Sequence, residues 1–230
     1  GEFVMRVLAG DVGGTKTRLA IFEIGGKRLQ TRLEKSYPSR QHPSLDALVE
    51  EFLALGDMPC AQACFGVAGP VLGQQVRVTN LPWVIDSSAL AARFGFERVA
   101  LINDLEANAW GIDALTDEDF YLLNPGRADA AGNASIIAAG TGLGEAGLFW
   151  DGQRYRPFAS EGGHADFSAQ SDLEIALLKY LRRQFGHASW ERVVSGMGLV
   201  NIHSFLCEHR AAPVSDPLAA RMATGDAAAA

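Results

Sequence analysis

Two short glycine–threonine turns, Asp11-Val12-Gly13-Gly14-Thr15 and Gly140-Thr141-Gly142-Leu143-Gly144, constrain this chain more than any other feature. Each follows a run that reads as a buried strand, Val7–Ala9 in one case and Ser135–Ala139 in the other. Each leads into a second strand-like run, Leu19–Phe22 or Ala146–Trp150, rather than into a helix. Glycine lets a backbone approach a ligand without Cβ interference, and successive N–H groups in such turns form anion-binding concavities. Two hairpin tips of this kind point to one polyphosphate gripped from two sides, against the plain alternative of ordinary hairpin turns.

The strand after each turn excludes two better-known phosphate loops. Gly10 and Lys16-Thr17 nearly satisfy the Walker A spacing, but Thr15 stands where glycine must precede the lysine, and no helix begins there. Gly142, Gly144 and Gly147 match the dinucleotide fingerprint by letter, yet here too no helix begins to receive a pyrophosphate.

The order of periodicities predicts a mixed α/β chain in two parts. Val7–Ala9, Leu19–Phe22 and Arg28–Leu33 read as a meander, with a tight turn at Gly25-Gly26. Leu45, Leu48, Val49, Phe52 and Leu53 recur at helical spacing behind Ser44 as N-cap. Ala61–Val67 reads as a buried strand, Val76 and Val78 as a short edge strand, and Asp86-Ser87-Ser88 caps a helix through Phe94 before the strand Val99–Ile102. Beyond Asn103 come a helix through Ile112 and strands at Tyr121–Leu123, Ser135–Ala139 and Ala146–Trp150. Ser171 and Glu174 form a capping box for a helix, followed by helical segments at Trp190–Val194 and Leu199–His209. The boundary is set near residue 108, giving a first domain over 5–108 and a second over 109–230. After Ala211 the composition drifts to Ala, Pro and Asp, so the second domain is expected to be incomplete. Gly1-Glu2-Phe3-Val4, ahead of Met5, takes no part in the expected fold.

Charge and cysteine content narrow the partners. The formal net charge of −7 comes without any Lys/Arg run, so neither nucleic acid nor an anionic membrane is an expected partner. No apolar stretch has the length of a membrane span. Three sparse cysteines, Cys60, Cys64 and Cys207, fit thiols in a reducing cytoplasm, and no second Cys/His pair stands at zinc-ligand spacing.

Five polar residues complete the candidate site. Asp11 ends a strand beside the first turn, where it either holds Mg²⁺ through water or organises the turn through its own backbone. Asn103-Asp104 ends Val99–Ile102: a carboxylate ionised by the following helix N-terminus can take the proton of a substrate hydroxyl, or the pair is simply a helix cap. Glu161 and His164 flank Gly162-Gly163 and suit a polyol through converging donors and acceptors; a loop histidine satisfied by backbone is the alternative.

Gly10–Thr15, Leu101–Asp104, Ala139–Gly144 and Glu161-Gly162-Gly163-His164-Ala165-Asp166-Phe167, in this order, resemble the bacterial ATP-dependent glucokinases. Glu191–Gly196 and Gly198–Val200 resemble the block that comes next. The resemblance implies an actin-like (ribonuclease H-like) two-domain α/β sugar kinase with mixed sheets and a cleft between the domains. It implies ATP with Mg²⁺ as cofactors, glucose as substrate, a cytoplasmic homodimer, and phosphorylation of the glucose 6-hydroxyl at the entry to glycolysis. Asp104 would be the catalytic base. Asn103, Asp104, Glu161, His164, Glu191 and Asn80 would bind sugar. Asp11, Gly13, Gly14 and Thr15 would form the first phosphate motif, and Gly140, Thr141 and Gly142 the second. On its residue context alone, Glu191 is an early-helix carboxylate after Ser189. Lys16 stands where such kinases often carry Asn, and the family's adenosine-holding segment has no counterpart here. A sugar-binding or regulatory module without turnover, and an actin-like ATPase, are the alternatives.

Overall fold

The computed structural model describes residues 5–25, 28–127 and 129–210. Two compact units divide the chain, Gly1–Phe120 and Tyr121–Ala230. The first unit runs β1 (Met5–Val12), β2 (Lys16–Gly25), β3 (Arg28–Pro38), α1 (Leu45–Leu53), β4 (Gln62–Val67), β5 (Val71–Leu72), β6 (Gln75–Arg77), β7 (Val84–Asp86), α2 (Ser87–Phe94), β8 (Arg98–Asn103) and α3 (Asp104–Gly111). The second runs β9 (Ala134–Ala139), β10 (Leu143–Trp150), β11 (Tyr155–Ser160), α4 (Asp172–Phe185) and α5 (Gly196–Arg210). Residue 108, the expected boundary, lies inside α3, and the units part after Phe120.

The main sheet of the first unit has the order β3-β2-β1-β4-β8. The meander β1–β3 is antiparallel, whereas β4 runs parallel to β1 and β8 parallel to β4. The sheet is therefore mixed, and the C-terminal ends of β1, β4 and β8 share one edge, where ligands of open α/β sheets gather. Period-two alternation puts Thr17, Leu19 and Ile21 of β2 on the buried face, with Ala63, Phe65 and Val67 of β4 buried likewise. Leu45, Leu48, Val49 and Phe52 of α1 join them in one core, each such side chain contributing about 1.5–3 kcal/mol by leaving water.

Helix starts follow the sequence signals. Ser44 accepts the Ala47 N–H at 3.3 Å and Asp86 the Ala89 N–H at 2.9 Å. Ser171 and Glu174 cap α4 reciprocally. Leu177 and Leu181 of α4 pack with Phe167, Ala188 and Phe205 as a separate core in the second unit.

Three expectations are corrected. Tyr121–Leu123 forms no strand: among the described residues nothing pairs with it, and Tyr121 and Leu123 are 86% and 90% exposed. Val76 lies in the middle strand of a separate antiparallel sheet, β5-β6-β7, and not on an edge strand, while Val78 follows β6 outside any strand. The Trp190–Val194 segment is a single 3-10 turn, Trp190–Arg192, ending before α5. β2 and β3 pair as far as Gly25↔Arg28, while Gly26 itself and everything after Arg210 lie outside the described residues.

Candidate active site

The first glycine turn is the tip of the β1–β2 hairpin, whose last pair is Val12↔Thr17. The Gly13 N–H donates to the Lys16 carbonyl at 3.0 Å and closes the tip. Behind it sits a brace that sequence motifs do not announce. The Ser39 hydroxyl donates to the Gly13 carbonyl at 2.8 Å and shares a 2.9 Å hydrogen bond with Thr17 Oγ1, while the Ser39 N–H donates to the Thr15 carbonyl at 2.9 Å. Thr17 and Ser39 are 0% exposed. Two carbonyls of the tip are thus held from behind, which fixes its peptide planes. A Cβ built on Gly14 would lie 2.9 Å from the Thr79 carbonyl oxygen and 3.3 Å from Asn80 Cβ, so the tip packs directly on residues 79–80. Asn80, at φ 63°, is the one described non-glycine residue with positive φ. The signal that could have found Ser39 is faint: a lone hydroxyl directly after Pro38, at the end of a long strand.

Asp11 is exposed on β1, opposite Gly66 of β4. Asn103 ends β8 and caps α3. Its Oδ1 accepts the Leu105 and Glu106 N–H groups at 3.0 and 3.3 Å, and its amide donates to the Gly69 carbonyl at 3.4 Å. Asp104 opens α3 and accepts the Leu105 N–H at 2.9 Å. The helix start was expected to favour an ionised Asp104, but burial outweighs it. Removal from water pushes the Asp104 carboxyl above the ordinary aspartate value and the Asp11 charge adds to the rise, against the lowering by the Leu105 N–H. The first unit therefore places Asp11, the glycine tip, Asn103 and Asp104 along one sheet edge.

The second glycine turn joins β9 to β10, whose first pair is Leu143↔Ala139. The Gly140 N–H donates to the Gly142 carbonyl at 2.9 Å, and the Gly196 N–H at the start of α5 donates to the Gly140 carbonyl at 2.8 Å. Glu191 supplies the remaining support: its Oε2 accepts the Leu143 N–H at 3.0 Å and fills the space a Cβ on Gly142 would need. The other carboxylate oxygen lies 3.8 Å from His164 Nδ1, and His164 Nε2 lies 3.7 Å from Glu161 Oε2. Glu161 directly follows β11, and a 3-10 turn, Gly162–His164, carries the histidine back toward the tip. The Trp190 N–H donates to the Ala165 carbonyl at 3.0 Å, and the Trp190 ring packs edge-on against Phe167 at 5.1 Å. The Ser195 hydroxyl donates to the Glu191 carbonyl at 2.6 Å.

Glu161, His164 and Glu191 thus form a carboxylate–imidazole–carboxylate set against the second tip. Glu161 and His164 side chains are 72% and 62% exposed, whereas that of Glu191 is only 18% exposed. Such a set accepts and donates hydrogen bonds in several directions, as a polyol requires. Asp166 lies apart from it, exposed and bonded to His187 Nε2 at 2.6 Å. No group of three potential metal-ligating side chains exists among the described residues. An exposed carboxylate beside a glycine hairpin tip, as Asp11 is, nonetheless has the chemistry to hold an ion that keeps most of its water.

Both the sequence and the fold have relatives among known proteins. The family model described as Glucokinase matches residues 8–229. The chain is 41% identical over 218 residues to a glucokinase of Trichormus variabilis, covering 93% of this chain and 64% of that protein. It is 43% identical over 220 residues to a Synechocystis glucokinase, covering 90% and 62%. The chain thus spans a little under two thirds of the length of these curated relatives. A glucokinase crystal structure from an Antarctic psychrotroph superposes with a TM-score of 0.79 at 27% identity, covering 97% of this chain and 73% of the other. That of Balamuthia mandrillaris glucokinase in complex with glucose gives 0.70 at 23% identity over 91% and 64%, a likeness of fold.

Proposed function

The chain belongs to the glucokinase family, and from this premise we propose that it carries the sugar- and phosphate-handling residues of an enzyme that transfers the γ-phosphoryl group of ATP to the 6-hydroxyl of glucose. The observation that carries the proposal is the Glu161–His164–Glu191 set lying against a glycine phosphate turn. An ATPase without an acceptor needs the turn but not the set.

In this reading the 6-oxygen attacks the γ-phosphorus, the bond from that phosphorus to the β–γ bridging oxygen breaks, and ADP leaves. Asp104 takes the hydroxyl proton. Phosphoryl transfer has a loose transition state, so the base chiefly orients the nucleophile. The two glycine tips hold phosphate oxygens through their N–H groups. Asp11 would hold the hydrated Mg²⁺, which neutralises charge developing on the phosphates. Glu161, His164 and Glu191 bind the remaining sugar hydroxyls. Asn103 contributes through its amide N–H, since its oxygen caps α3. Asn80, packed on Gly14, is the weaker sugar contact. A homodimer and a cytoplasmic place of action belong to the same proposal. Among the described residues no helix is long and apolar enough to cross a membrane.

A coupled assay on the full-length protein tests this reading. Glucose- and ATP-dependent formation of glucose 6-phosphate is expected. Glucose binding without turnover would favour the sugar-binding module, and glucose-independent ATP hydrolysis the actin-like ATPase; either would overturn the proposal.

A further inference from the structure

Glu191 occupies an unusual position for a residue assigned to sugar binding. One of its carboxylate oxygens is spent on the backbone of the second phosphate turn, through the Leu143 N–H at 3.0 Å, and the other faces His164 at 3.8 Å. That second distance is too long for a hydrogen bond, so Oε1 retains acceptor capacity toward an incoming hydroxyl. The residue is mostly buried, and its backbone is pinned by Ser195 and by the turn that carries Trp190. A carboxylate held in this way cannot change direction at one oxygen without disturbing the bond at the other.

We propose that Glu191 couples the two substrates, its bond to the Leu143 N–H making the shape of the second phosphate turn depend on occupancy of the Glu161/His164 sugar loop. The proposal rests on the sugar-kinase reading above. A sugar hydroxyl bonded to Oε1 orients the carboxylate, and Oε2 then holds Leu143 and Gly142 in the arrangement that meets phosphate. Gly142 has to be glycine for the same reason, since a methyl group there would occupy the place of Oε2. By linkage the effect is reciprocal: the nucleotide tightens sugar binding by the factor with which sugar tightens the nucleotide.

Calorimetry on the full-length protein tests this with glucose and a non-hydrolysable ATP analogue in the presence of Mg²⁺. In the wild type each ligand is expected to tighten the other about tenfold, by one common factor. In Glu191→Ala that factor falls to about one, and the analogue binds several-fold more weakly even without glucose. Glu191→Gln keeps an oxygen that accepts the Leu143 N–H, though more weakly than a carboxylate, and it weakens the analogue less than Glu191→Asp does. Glu191→Asp retains the charge but withdraws the carboxylate from Leu143; it behaves like Ala and replaces it should the Ala variant not fold.

An unchanged affinity for the analogue in both Ala and Asp variants would overturn the coupling and leave Glu191 to sugar alone. Equal weakening in Gln and Asp would overturn it as well, because the shared bond would not be the determinant. A wild type that binds both ligands with no mutual effect refutes the coupling while sparing the sugar-kinase reading. A wild type that binds the analogue but no glucose refutes both.

Discussion

The two glycine tips share a sequence pattern and a hairpin context, yet they are held in opposite ways. The first is braced by uncharged groups buried to 0% exposure, Ser39 and Thr17, and rests on the backbone of Thr79. The second is tied by the Gly196 N–H to its Gly140 carbonyl and braced by the end of one carboxylate side chain, Glu191, which also reaches toward His164. A local motif specifies a hairpin, whereas its surroundings decide whether the hairpin is fixed or adjustable. The first tip adjoins the edge bearing Asp104; the second adjoins the Glu161, His164 and Glu191 set and, under the proposed coupling, responds to it.

The largest effect should separate chemistry from recognition. Asp104→Ala is expected to lower kcat by about 10²–10⁴-fold, the usual worth of a positioned acid–base group. Glucose binding should remain measurable, because the proposed contacts of Glu161, His164 and Glu191 are left in place. The coupled assay with calorimetric glucose titration measures both; retained turnover would remove Asp104 from its role.

Next comes a direct comparison of the tips by alanine. At Gly14 the new methyl meets a backbone carbonyl, which can yield only if residues 79–80 shift. At Gly142 it meets a carboxylate at the end of a rotatable side chain. Gly14→Ala should therefore cost about 1–3 kcal/mol of stability, as overpacking does, and raise the KM for ATP. Gly142→Ala should cost less than about 1 kcal/mol, and its main consequence should be a weaker linkage between the ligands. Equal losses in urea unfolding would mean that the tips are equally rigid.

The brace of the first tip is the third target. Ser39→Ala leaves Thr17 Oγ1 and the Gly13 carbonyl without their buried partner, at a cost of about 1–3 kcal/mol. The KM for ATP should rise while the KM for glucose stays within error. A parallel rise in both would make Ser39 a purely structural residue.

These supports mark where sequence reasoning stops. Both tips, the helix caps at Ser44, Asp86 and Ser171, and the alternation along β2 and β4 are local, set by spacing and hydrogen-bond chemistry within a few residues. Ser39 bonds across 26 residues to Gly13, and Glu191 across 48 to Leu143. Nothing near either residue announces such a partner, so Ser39 carries no motif and Glu191 reads as an ordinary early-helix carboxylate. Tyr121–Leu123 fails for the converse reason: it has the composition of a strand, but strand formation needs a neighbour.

The smallest effect concerns pH and reaches only the first unit. Burial raises the Asp104 carboxyl, chiefly by desolvation and additionally through Asp11, so the ionised base is lost as pH falls through a value above that of an exposed aspartate, about 3.9. The acid limb of kcat/KM should accordingly lie above that value. Asp11 lies on β1 and Asp104 just beyond the end of β8, with β4 between the two strands. Because Asp11 is exposed, its charge acts through a high effective dielectric, and Asp11→Asn should move the limb only slightly, to lower pH. The same rise bears on stability. Between the unfolded and the raised folded value the native state binds more protons than the unfolded chain, so stability falls as pH increases across that window. At neutral pH the ionised carboxylate therefore opposes folding. Asp104→Asn keeps an acceptor for the Leu105 N–H and should melt slightly higher than wild type at pH 7, with the gain vanishing below the ordinary aspartate range. A lower melting temperature at pH 7 would show that the helix-start bonds, and not burial, govern this carboxylate.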